Sequence, residues 1–145
     1  MTEPTPKVRA MVIGLDGATF DLLVPMVEQG WLPNLGHAME QGTAGVLRST
    51  VPPLTAPAWS SFQTGLAPGR HGVFSFQRRL DHSLEREFVN STAVHGARLW
   101  HWLERHGLTT GVVNLPMTWP PDPMPLGGYL AVSYTHLTLP TSDLV

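Results

Sequence analysis

The stretch "TVPPLTAPAWSSFQTGLAPGRHG", residues 50 to 72, constrains the backbone more than any other part of the chain, because it packs four prolines and three glycines into one short run. Pro53 and Pro57 frame Thr55, and each proline fixes its own φ and biases the residue before it toward extended backbone. Pro57 suits the first turn of a helix, where its missing N–H is no loss. The spacing therefore predicts a helix running to about Thr64, with Gly65 as its stop and Thr55 at or next to the N-cap. A helix N-terminus presents unpaired N–H groups and partial positive charge, which favour an anion such as phosphate. A hydroxyl there is either a simple cap or a nucleophile whose alkoxide the helix end stabilises, with a metal needed to lower its pKa further.

The flanking sequence supplies the scaffold. Residues 8 to 14 are mostly apolar and end at a glycine, which predicts a buried strand of the parallel-sheet type. Asp16-Gly17 follows at its carboxyl end, where ligand sites of open α/β sheets gather. Thr19 is placed to cap a helix carrying Phe20, Leu22, Leu23, Met26 and Val27, with Pro25 as a kink and Gly30 as its end. Pro33 opens a second helix that Gly42 stops. Residues 44 to 50 predict a second strand, 95 to 106 a helix ended by Gly107, and 109 to 115 a third strand before the proline-rich turn at 116 to 121. Alternating strands and helices predict an α/β fold, a partial open and mostly parallel sheet flanked by helices.

Composition excludes several function classes. With no cysteine, the chain has no disulfide scaffold, thiolate metal site or cysteine nucleophile. The net charge is −2 and 14% of residues are charged, so nucleic-acid polymer binding is not expected. Arg78, Arg79 and Arg86 are interleaved with Asp81, Glu85 and Glu87, which reads as a mixed solvated face, and Asp81-His82-Ser83 as a surface loop. Residues 1 to 7 read as a disordered N-terminus without an apolar leader, and there is no run of about twenty apolar residues to span a membrane. A cytoplasmic protein without membrane association is the expectation.

Four segments carry a family resemblance: "VIGLDGATFD", "GWLPNLGHAMEQGT", "STVPPLTAPAWSSFQTGLAPGRHGVFSF" and "GVVNLPMTWPPDPMPLGG". Together, from about Val8 to Leu130, they resemble the N-terminal part of the type I phosphodiesterase/nucleotide pyrophosphatase family of the alkaline phosphatase superfamily. The resemblance implies an alkaline-phosphatase-like hydrolase domain, here 8–131, acting on a small-molecule phosphoester with two divalent metal ions, usually zinc. Asp16 would bind one metal. Thr55 would sit on the same metal, attack phosphorus in line, and form a phosphothreonine that a metal-activated water hydrolyses. Gly17, Pro57, His71 and Gly72 match positions that shape the site without binding metal.

The chain departs from the nucleotide-cleaving members in two places. They follow the threonine with Phe-Pro-Asn, where this chain has Ala56-Pro57-Ala58, and an asparagine that touches the phosphoryl oxygen is matched here by Phe76. The substrate expected is therefore not necessarily a nucleotide. The family's later ligands, including an Asp-His-Gly run, have no counterpart, and His95, His101 and His106 read as ordinary exposed or capping histidines. From Val132 the text "VSYTHLTLPTSDLV" resembles translated sequencing-adapter DNA, which makes 132–145 an expected non-native tail on a truncated frame; the alternative is a threonine-rich final strand. As half a domain, the chain is expected to be poorly soluble and inactive, with Trp59, Trp100, Trp102 and Trp119 short of packing. Two other readings stay open. One is a phosphomutase or sulfatase relative, although a sulfatase would need a cysteine or serine at 55. The other is a non-catalytic α/β domain that binds a phosphorylated ligand or a partner without metal.

Overall fold

A computed structural model describes residues 10–80, 84–124 and 126–132. The chain divides into two compact units, Met1–Leu47 and Arg48–Val145.

The first unit is a helical pair. Helix α1, Phe20–Glu28, starts where Thr19 Oγ1 accepts the Asp21 N–H at 3.4 Å, and Asp21 adds negative charge to the positive end of the helix. Pro25 lies inside α1 without ending it. Helix α2, Pro33–Gln41, begins with proline at its first position, as the sequence predicts. The helices approach closely because Gly36 has no side chain: a Cβ there would lie 2.9 Å from Val27 Cγ1.

The strands expected at 8–14 and 44–50 do not form among the described residues. Met11 and Ile13 are about three-quarters exposed, at 75% and 76%, and Val46 and Leu47 almost wholly so, at 87% and 94%. An apolar run becomes a strand only when a neighbour pairs its backbone groups, and among the described residues no strand pairs either run.

The second unit holds the candidate nucleophile. Helix α3, Thr55–Thr64, ends at Gly65 in the left-handed region, with φ +69°. The short helix α4, Pro68–His71, ends the same way at Gly72, with φ +82°. Strands β1, Gln77–Arg79, and β2, Arg86–Phe88, form an antiparallel pair in which Arg78 faces and ion-pairs with Glu87. That agrees with a solvated charged face; Asp81-His82-Ser83 lies outside the described residues. A 3₁₀ turn at Ser91–Ala93 follows, capped by Asn90. Helix α5, Leu99–Arg105, starts later than the expected residue 95, because Gly96 takes φ +101° and Arg98 acts as the N-cap. Strand β3, Gly111–Val113, falls inside the predicted third strand and pairs in parallel with β4, Tyr129–Ala131.

The core of this unit is Ala56, Val73, Val94 and Met117, with Phe76 and Val89 packed against it. Trp100 is buried, contrary to the expectation that it lacks packing, whereas Trp102 and Trp119 are exposed. The fold mixes helices with small strands in two two-stranded sheets, and the expected open parallel sheet is not formed among the described residues. None of the described helices is long and apolar enough to cross a membrane. Of the expected tail, residues 133–145 lie outside the described residues, as does the N-terminal segment 1–7.

Candidate functional site

The approach to Thr55 is built from local bonds. Thr50 Oγ1 donates to the Pro52 carbonyl at 2.8 Å, and the Leu54 N–H donates to the same carbonyl at 3.0 Å. Leu54 is extended and is the N-cap, which makes Thr55 the first helical residue and not the cap itself. Leucine has no side-chain oxygen, so no side-chain cap bond closes the first turn of α3. Thr55 is half-buried there. Pro57 is buried at the third helical position, where no N–H is required.

His71 reaches back from α4 onto α3 and is fully buried. The Val73 N–H donates to its Nδ1 at 3.2 Å, which leaves the imidazole proton on Nε2. Nε2 lies 3.0 Å from Ser61 Oγ, one helical turn beyond Pro57. Burial holds the His71 pKa below the ordinary value of 6.5, and the Pro57 carbonyl facing the ring works in the opposite direction. The His95 N–H donates to the His71 carbonyl at 2.9 Å, and Gly72 supplies the positive φ that the turn needs.

Thr55, Pro57, His71 and Gly72 are thus assembled on one helix–turn–helix. Asp16 and Gly17 form a tight turn in the first unit, with Gly17 at φ +68° and Asp16 exposed.

A family model for type I phosphodiesterase/nucleotide pyrophosphatase matches residues 10–138, which takes in both Asp16 and Thr55. The chain belongs to that family. The match runs past the expected domain boundary at 131. Neither a curated protein nor a solved structure matches the chain.

The phosphodiesterase family is typically metal-dependent. No group of three or more His, Asp or Glu side chains among the described residues can hold a metal ion. The residues therefore do not fit a metal centre by themselves. His101 serves as a cap, its Nδ1 accepting the Arg98 N–H at 3.2 Å, and His106 Nδ1 lies 2.8 Å from the Trp102 carbonyl. Phe76 packs against the apolar core.

Two polar groupings were not anticipated. Asp122 Oδ2 gathers Trp100 Nε1 at 3.1 Å, Arg98 Nε at 3.2 Å and His101 Nε2 at 3.5 Å, tying α5 to the proline-rich turn. The other is Ser61, whose hydroxyl meets His71. Helical spacing from Pro57 placed Ser61 on the same face of α3, and that was the only signal available for it. Nothing local connects Asp122 to a helix so far back along the chain.

Proposed function

We propose that this chain carries the nucleophile of a phosphoester hydrolase and that the nucleophile is Thr55. The observation that carries the proposal is the family match, which spans Thr55 where it sits on the uncapped first turn of α3. In this reading Thr55 Oγ1 loses its proton and forms a bond to phosphorus while the ester oxygen leaves with the electron pair and takes up a proton. Water then attacks the phosphothreonine, releasing phosphate or a phosphomonoester and restoring the hydroxyl. The positive end of α3 favours the charge on the transferred group.

The substrate class follows as a small-molecule phosphoester. The Phe76 side chain offers no hydrogen-bond donor to a phosphoryl oxygen, so in this reading a different group holds it. Two divalent metal ions, zinc by resemblance, with Asp16 and Thr55 as ligands, belong to the proposal through the family alone. A full ligand set needs residues outside those described. The same reasoning makes the chain part of a longer enzyme. In that enzyme the apolar runs at 8–14 and 44–50 would pair as strands of a larger parallel sheet.

The test is Thr55→Ala in the full-length protein, assayed on a chromogenic phosphodiester with added zinc. Turnover is expected to fall about a thousandfold or more, as when a covalent nucleophile is removed. Acid-quenched wild type should carry one phosphoryl group on the peptide containing Thr55. Wild-type turnover in Thr55→Ala would refute the reading; retained phosphate-ligand binding without any turnover in wild type would favour the non-catalytic alternative.

A further inference from the structure

We propose that His71 is a positioning residue that braces the first two turns of α3 through its Nε2–H, and so aims Thr55. The inference rests on Thr55 being the nucleophile. It begins at the N-terminal end of α3. First-turn N–H groups are usually tied by an N-cap side chain, and at this end Leu54 supplies none. Pro57 fixes one φ but contributes no donor. A nucleophile must be held to within about half an ångström of its working position, and the first turn of α3 is packed, with Ala56 and Pro57 buried.

The ring of His71 adds a constraint from outside the helix. Gly65, with positive φ, turns the chain so that α4 brings His71 back against α3, and Gly72 turns it again so that Val73 meets the ring. The Val73 N–H, by occupying Nδ1, fixes the ring's tautomer and leaves Nε2–H as the donor. That donor meets Ser61 Oγ at 3.0 Å, and the Pro57 carbonyl faces the same ring. Pro57 lies two residues from Thr55. His71 and Pro57 are both essentially without solvent exposure, so water cannot substitute for the contact. The two ring nitrogens thus have separate duties: Nδ1 orients the ring, and Nε2 holds the helix.

Two conservative replacements separate those duties. Glutamine can place an N–H near the Nε2 position, whereas asparagine can place an acceptor near Nδ1. Both variants lose one of the ring's bonds, so both should lose stability. They should differ in what happens to α3. In the full-length protein His71→Gln is expected to keep kcat near wild type, while His71→Asn and His71→Ala lose about ten- to a hundredfold in kcat with KM little changed. Hydrogen exchange of the peptide covering residues 55–64 should quicken in His71→Asn and His71→Ala and stay slow in His71→Gln. Exchange needs no turnover, so it can be read on the 145-residue chain as well.

If glutamine and asparagine behave alike in both readouts, or if His71→Ala leaves α3 exchange and kcat unchanged, the brace is wrong. Thr55→Ala is run beside them. Wild-type turnover there overturns the nucleophile itself, and with it the positioning of a nucleophile. A dead Thr55→Ala beside a fully active His71→Ala overturns only the brace.

Discussion

His71 is buried as a neutral imidazole, and that has a thermodynamic consequence. In the unfolded chain the ring titrates near 6.5, whereas burial lowers its pKa in the fold. As pH falls through that unfolded value, the unfolded state takes up a proton that the folded state still refuses. The stability associated with neutral burial is therefore complete above about pH 6.5 and is lost as pH falls toward the folded pKa. Thermal melts followed by circular dichroism from about pH 7.5 down to about pH 5 should show a steeper fall in Tm for wild type than for His71→Gln, which has no imidazole at this site. Equal slopes would mean that His71 does not titrate differently in the two states. The sequence singled the residue out by its place between a proline-glycine turn and Gly72. Its partners were not legible there, because Ser61 and Val73 are selected by how α4 folds back, and no local pattern encodes that.

At the scale of elements, the helices were readable because their ends are local chemistry. Thr19 caps α1, Pro33 opens α2 and Gly65 closes α3, each by a rule that needs only its immediate neighbours. Strands are different, since pairing is supplied by residues far along the chain. Val112 was readable as strand, but its partner Leu130 was not. Gly36 is a further case: it looks like a weak point inside α2, yet it is where α1 and α2 touch. Gly36→Ala adds about 1 kcal/mol of intrinsic helix preference. It also drives a methyl group to 2.9 Å from Val27 Cγ1, and overpacking of this kind costs about 1–3 kcal/mol. The clash is expected to win, with faster hydrogen exchange in both helices. Val27→Ala in the same chain should restore protection, by a coupling of about 0.5–3 kcal/mol. A protective effect of Gly36→Ala alone would show that the helices have room to separate.

For the whole molecule, the notable quantity is apolar surface left in water. Met11, Val12, Ile13, Val46 and Leu47 are all largely exposed, and they lie in the two runs that the sequence predicts as strands. Patches of this kind on a soluble chain mark either an interface or a liability to associate. The double substitution Val46→Thr with Leu47→Lys distinguishes how these side chains behave in chains of different length. In the 145-residue chain it should raise solubility and reduce binding of an apolar dye, with no loss of Tm, because side chains already in water have no burial to lose. In a longer protein that completes a sheet over them, the same pair should cost about 1.5–3 kcal/mol for each side chain no longer buried, and it should reduce activity through stability instead of chemistry. A drop in Tm in the short chain would show that Val46 and Leu47 are already covered there.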